Sequence, residues 1–201
     1  MARASDALPA VGWQSQRQAA ARNETAILDA ARKLVAAGGG DRIDVRQIAA
    51  EAGVGVGTIY RRFGDKAGVL AALVGEDERV LQDALIGGDP PLGPGAPAPE
   101  RLEAFLRALC RLTADHADSL AAAQATAADG RYAFGSYEAW RLHARVLIAD
   151  IDPRLDADWL ADLVIAPLSP ALYRRQRDQR GMTPSRIEAN VVDCARRVTR
   201  I

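Results

Sequence analysis

Between positions 46 and 66 the chain gathers groups that bind phosphates and base edges. They are the guanidiniums of Arg46, Arg61 and Arg62, the hydroxyl of Thr58, the phenol of Tyr60 and the ammonium of Lys66. A guanidinium can offer two parallel N–H donors to a phosphate or a guanine, whereas a hydroxyl or an ammonium makes a single-point contact. Arg46, Thr58, Tyr60 and Lys66 are assigned mainly to phosphates. Gly55, Val56, Gly57 and Arg61 are assigned to the face over the bases. Two missing side chains let a helix lie close, Val56 can touch a thymine methyl, and Arg61 can fork onto a guanine. Arg62 suits either role.

Other chemistries lack their parts. His116 and His143 are the only histidines, and neither stands in a metal motif such as H-E-x-x-H. There is no G-x-S-x-G nucleophile elbow. Cys110 and His116, six residues apart, need not face each other on a helix. Cys110 and Cys194 have no metal-ligand spacing and read as reduced, mostly buried thiols. Gly53-Val54-Gly55-Val56-Gly57-Thr58 is glycine-rich, but no strand precedes it and its spacing is neither G-x-G-x-x-G nor a Walker A loop. No enzyme, cofactor or metal site is expected.

The phosphate-binding groups need a frame, and Asp44 to Phe63 supplies it. Asp44 can cap a helix and Gln47 can reach back, a variant of the capping box. Val45, Ile48, Ala49 and Ala52 repeat at helical spacing. Gly53 stands where that helix must stop and can take the left-handed conformation. Val54 can plug the corner, and Gly55 occupies the next N-cap. Ile59 and Phe63 give a second short helix its buried stripe and leave the polar residues outside. This is a helix-turn-helix pattern. A bracing helix is expected before it, from near Arg17 or Arg22 to Ala37, with Ile27, Ala31, Leu34 and Val35 inward and Gly38-Gly39-Gly40 as its stop.

The segments T-A-I-L-D-A-A-R-K-L (25–34), D-V-R-Q-I-A-A-E-A-G-V (44–54) and G-T-I-Y-R-R-F-G-D-K (57–66) together resemble the N-terminal domain of TetR-family transcriptional regulators. The match spans roughly residues 20 to 80 without a gap. Gly55 departs from it, since the family often has serine there, and so does Ala67-Gly68, where the family often has glutamate and a larger residue. The resemblance implies an all-α protein with an N-terminal three-helix reader for double-stranded operator DNA and a C-terminal helical domain for ligand binding and dimerisation. It also implies that the fourth helix links the two and moves on induction.

The rest of the chain is read as follows. Residues 1–16 form a flexible arm, 17–66 the helix-turn-helix domain and 67–201 the helical ligand and dimerisation domain. A helix opens at Asp65-Lys66 and runs to about Ile86, with Val69, Leu70, Leu73, Val80, Leu81 and Leu85 as core candidates. Gly75 either softens this helix or marks a close crossing. G-G-D-P-P-L-G-P-G-A-P-A-P (87–99) breaks it. Helices are then expected over 99–115, with Leu102, Phe105, Leu106, Leu109 and Leu112 inward, over 119–128, and from Ser136 to about Ile151. A turn falls at Asp129-Gly130. Another helix starts at Asp152-Pro153 and runs to about Gln179, interrupted at Pro167 and Pro170. After Gly181 the last begins at Thr183-Pro184.

Most aromatics of the second domain (Phe105, Tyr132, Phe134, Tyr137, Trp140, Trp159) read as core. Tyr137, Trp140 and His143 are the pocket candidates, because they join aromatic surface to hydrogen-bonding groups. Trp159, Leu160, Leu163, Val164, Leu168, Leu172, Ile187, Val191 and Val198 exceed what one helical layer buries on one side. They point to a homodimer interface, with Trp159, Leu163, Leu172 and Val191 chosen to represent it.

Across 201 residues, 26 Lys plus Arg balance 26 Asp plus Glu, so any nucleic-acid surface must be local rather than a coat. No apolar stretch approaches the ~20 residues of a membrane helix, and no signal-peptide core is present. The chain is expected in the cytoplasm. Its expected function is a repressor released from DNA by a small apolar or amphipathic effector. The alternative is a small-molecule sensor with a vestigial helix-turn-helix.

Overall fold

The computed structural model describes residues 11–38, 43–125 and 135–200. Every regular element among them is helical, as the sequence predicts. The chain divides into two compact units, the first ending at Leu73 and the second beginning at Val74.

The first unit is built from α1 (Val11–Gly38), α2 (Val45–Ala52), α3 (Val56–Phe63) and the opening turns of α4 (Lys66–Gly87). One core joins them: Ile27 and Ala31 from α1, Ile48 and Ala49 from α2, Ile59 from α3, Val69 and Leu73 from α4. Ile27, Ile48 and Ile59 have no exposed surface. Each such isoleucine contributes about 1.5–3 kcal/mol relative to leaving it in water. Three helices thus meet on three fully buried side chains, which fixes the placement of α3. Leu34, Val35, Ala52, Val54 and Phe63 pack around them, half-buried.

α1 begins earlier than expected, inside the stretch read as an arm. The run Gln14 to Ala21 is rich in good helix formers, and the single Gly12 costs only about 1 kcal/mol, so the helix extends back to Val11. The rest of the expected arm, residues 1–10, lies outside the described residues.

The second unit continues α4 to Gly87 and adds α5 (Ala98–Ala125), α6 (Gly135–Ile151), α7 (Ala157–Ile165), α8 (Pro170–Arg174) and α9 (Pro184–Thr199). A 3-10 turn, Ala166–Leu168, joins α7 to α8, and a π-helical turn, Arg175–Gln179, follows α8. α5 is the central element and packs against α6, α8 and α9. Leu102, Phe105, Leu106, Leu147, Ile148, Ile165, Tyr173 and Ile187 form its most buried layer.

Several boundaries differ from the sequence reading. α5 runs unbroken through residues 116–118, because His116 and Ala117 point inward and His116 pairs with Asp77 at 2.8 Å. Asp152-Pro153 does not start a helix. The Asp152 carboxylate accepts from the Arg154 backbone N–H at 3.0 Å and from its guanidinium at 2.9 and 2.8 Å, which closes a turn. Asp156 is the N-cap instead, accepting from the Trp159 N–H at 3.1 Å. Val80 is 53% exposed while Leu81 and Leu85 are buried, so the core stripe of α4 passes beside Val80. Leu70 is half-buried. Among the described residues a side chain at Gly75 would meet nothing within 4 Å, so Gly75 marks no close crossing with them. Gly68 does: a Cβ there would lie 1.8 Å from the Phe63 carbonyl oxygen.

Other expectations match. Pro167 falls in the 3-10 turn and Pro170 opens α8, so both interrupt the long helix. Gly181 is left-handed at φ 63°. Thr183 caps α9 by accepting from the Arg186 N–H, with Pro184 in the first turn. The turn expected at Asp129-Gly130, with Tyr132 and Phe134, lies outside the described residues.

Candidate nucleic-acid interface and second-unit cavity

The reader element forms as its residues dictate. The Gln47 N–H donates to Asp44 Oδ1 at 2.8 Å and the Asp44 N–H to Gln47 Oε1 at 2.9 Å, which completes the capping box. Gly53 is left-handed at φ 67°, and the Val54 N–H returns to the Ala49 carbonyl at 3.0 Å. The turn therefore consumes backbone groups that would otherwise go unpaired at the helix end. Gly55 caps α3 with extended backbone and no side-chain hydrogen bond, while its carbonyl accepts from the Thr58 N–H at 2.8 Å.

Ile59 is buried and Phe63 half-buried, so α3 presents Tyr60, Arg61 and Arg62 outward. Tyr60 is 54% exposed, unusual for a large aromatic ring without a partner surface. Gly55 and Gly57 are exposed, and a Cβ at either would meet nothing, so neither glycine is needed for packing inside the unit. Arg46 is exposed on α2; Thr58 and Lys66 are half-buried. Val56 is half-buried and packs on the core of the first unit, so only part of it remains to touch a base.

Arg62 is engaged: its guanidinium donates to Glu24 of α1 at 2.6 Å. A groove of about 450 Å³ between α1 and α3 is lined by Asn23, Glu24, Thr58, Arg61 and Arg62. Asn23 and Glu24 were not legible as site residues, since 38 positions separate Glu24 from Arg62 and nothing local marks the pairing.

In the second unit a cavity of about 60 Å³ is lined by Tyr137 and Trp140, together with Glu78, Thr113, Ser136 and Ser169. Tyr137 donates its phenol to Asp162, which also accepts from Arg141 at 3.2 Å. Glu78 holds a hydrogen bond from Ser136; burial raises its carboxyl above the usual range, opposed by that bond and by nearby His116.

His143 does not line this cavity. Its ring lies edge-on to Phe105, with centroids 5.0 Å apart, and its buried Nε2 has no hydrogen-bond partner among the described residues. Burial first, and the Arg101 charge second, push its imidazole down to about 4. It is a half-buried, neutral histidine packed on Phe105 of α5. Cys110 is buried, and that burial pushes its thiol up to about 12.

The residues assigned to a dimer surface separate. Leu160, Val164, Leu168, Ile187 and Val191 are buried inside one protomer, Val191 at 3% exposure. Val191 has too little free surface to build an interface, which corrects that assignment. Trp159 is 61% exposed, and Leu163, Leu172 and Val198 are half-buried. Among the described residues no group of histidine, cysteine and carboxylates is placed to hold a metal, and no helix is long and apolar enough to cross a membrane.

Comparison with the curated proteins gives no match by sequence. Solved structures do resemble the chain. A protein assigned as a transcriptional regulator in Saccharomonospora viridis, solved in complex with choline, is 20% identical, with a TM-score of 0.66 over 85% of this chain and 93% of that one. A transcriptional regulator from Rhodococcus sp. Rha1 is 18% identical, with a TM-score of 0.64 over 88% and 96%. The fatty acid degradation regulator FadR from Bacillus halodurans is 19% identical, with a TM-score of 0.59 over 86% and 93%. At these identities the likeness is one of fold. The family model for bacterial regulatory proteins of the tetR family matches residues 27–73, from the buried face of α1 to the end of the first unit. Residues 27–73 are thus a tetR-type N-terminal domain of bacterial regulatory proteins, carried on a chain whose whole fold resembles such regulators.

Proposed function

We propose that the chain is a homodimeric transcriptional repressor that binds double-stranded operator DNA and leaves it when a small molecule occupies the second unit. The carrying observation is the α2–turn–α3 element. It is capped at both ends of α2, anchored by Ile48 and Ile59, and it turns Tyr60 and Arg61 outward beside two bare glycines. Such a helix suits a major groove, with Arg46, Thr58, Tyr60 and Lys66 on flanking phosphates and Arg61 on a guanine. Gly55, Gly57 and the free part of Val56 allow the close approach.

Release requires a ligand that binds the non-DNA conformation better, because equal affinity for both shifts nothing. The cavity beside Tyr137 and Trp140 supports this reading, as does the choline carried by the Saccharomonospora viridis neighbour. Trp159, Leu163 and Leu172 form the proposed contact between protomers. The protein acts in the cytoplasm, and no catalytic step is assigned to it. A sensor whose helix-turn-helix no longer reads DNA is the alternative. The Glu24–Arg62 pair favours it, since it occupies one of the outward guanidiniums of α3.

A mobility-shift titration with DNA flanking the protein's own gene tests the proposal. A salt-sensitive shift that prefers this DNA over a scrambled duplex supports repression. Absence of any shift at micromolar protein supports the sensor.

A further inference from the structure

The cavity beside Tyr137 and Trp140 carries one carboxylate among the described residues, and its surroundings identify the kind of molecule it suits. Glu78 of α4 lines it with Trp140 and Tyr137 of α6, and the hydroxyls of Thr113 and Ser136 stand at the same wall. Glu78 is half-buried. Among the described residues no arginine or lysine forms an ion pair with it: its hydrogen-bond partner is the Ser136 hydroxyl, and the nearby His116 is itself paired with Asp77. The Arg141 guanidinium is committed to Asp158 and Asp162. A carboxylate partly withdrawn from water, with no Arg or Lys ion pair among the described residues, carries a desolvation cost that a bound cation would reduce. Aromatic rings at the same wall add attraction for a positive charge.

From this juxtaposition we infer that the cavity binds a compact organic cation of the alkylammonium class, with Glu78 as its counter-charge and Trp140 and Tyr137 as its aromatic walls. At ~15 Å³ per water-sized group, a cavity of about 60 Å³ holds about four such groups, which suits the compact head of a small alkylammonium ion. This rests on the proposal that a small molecule occupies this unit and names its chemical class. Ser136 and Thr113 can accept from an N–H or O–H on the ligand, so a cation bearing one such donor fits better than a purely alkylated one.

The test uses the full-length protein in isothermal titration calorimetry without DNA. The probes are tetramethylammonium, choline and the neutral isostere tert-butanol, against the native chain and Glu78→Gln. The expected result is saturable binding of at least one cation, no matching binding of tert-butanol, and a loss of about tenfold or more in cation affinity for Glu78→Gln. Glu78→Gln keeps the size of the side chain and its hydrogen bond to Ser136, and a circular dichroism melt confirms that it folds. Equal affinity for tert-butanol, unchanged affinity in Glu78→Gln, or no binding of either cation overturns the inference. The same ligands added to the protein–DNA mobility shift separate the two claims. A cation that binds without releasing DNA leaves this site standing and removes the release mechanism. Release by an uncharged apolar compound, with no cation binding, does the reverse.

Discussion

Glu24 of α1 holds the guanidinium of Arg62 of α3 at 2.6 Å, so the brace helix and the reader helix share a charge pair on the surface proposed for DNA. Both partners are partly exposed, and such pairs contribute about 0–1 kcal/mol to stability. Toward a polyanion the pair matters more. Glu24 brings a negative charge to the interface and occupies one of its donors. Glu24→Gln is expected to leave the melting temperature nearly unchanged. It should also tighten binding to any duplex and steepen the salt dependence by about 1 in slope per DNA-bound subunit. Fluorescence anisotropy at several salt concentrations measures this, and weaker binding by Glu24→Gln would show that the pair positions Arg62 instead of restraining it.

Arg61 and Lys66 should fail in different ways. Arg61→Ala is expected to cost ~1–3 kcal/mol on the operator and to relax preference at one base pair per half-site. Lys66→Ala should weaken cognate and scrambled DNA about equally and lower the salt slope by about 1 per subunit. Equal loss on both DNAs after Arg61→Ala returns that residue to the phosphates.

Trp140 is 6% exposed and also lines the cavity. Trp140→Ala is therefore expected to cost about 3–5 kcal/mol of stability, read by urea denaturation, together with any ligand response. A variant that melts like the native chain but no longer responds to ligand would place Trp140 in the pocket alone.

His143 predicts an acid sensitivity. Its imidazole titrates near 4 in the folded chain against 6.5 when free in solution. Between these values the unfolded chain binds the proton and the folded chain does not. Its share of stability is therefore complete above pH 6.5 and is lost as the pH falls toward 4. His143→Gln should flatten the fall of melting temperature across that window. An unchanged profile would assign the sensitivity to another group.

The sequence pattern puts Trp159 and Val191 on one interface, whereas burial separates them. Trp159→Arg is expected to shift sedimentation toward the monomer with the fold intact, as loss of an exposed aromatic anchor would. Val191→Ala should instead cost about 2 kcal/mol in stability and leave the association unchanged. A dimer unaffected by Trp159→Arg would put the contact elsewhere.

What the sequence revealed follows the range of the forces. The capping box, the left-handed Gly53 and the proline interruptions depend on neighbours within a few positions, so residue order alone specifies them. Val191 and Val80 needed the third dimension, because an apolar residue at helical spacing looks the same whether its face meets its own core or another surface. Glu78 and Glu24 were invisible for a related reason. Each sits on a polar stretch of helix, and only the packing of a distant helix gives it Ser136 or Arg62 as a partner. Asp152-Pro153 carried a plausible start signal, but the Arg154 side chain outcompeted helix formation for the carboxylate.

The open space at Gly55 and Gly57 bears on how operator preference can change. Both backbones tolerate a side chain, and neither position supports the core. Sequence drift can therefore write new contacts there without first repairing the fold, and serine at 55 would strengthen the cap as well. Regulators that diverge from this chain can acquire new operators through these two blank positions while every buried residue stays as it is.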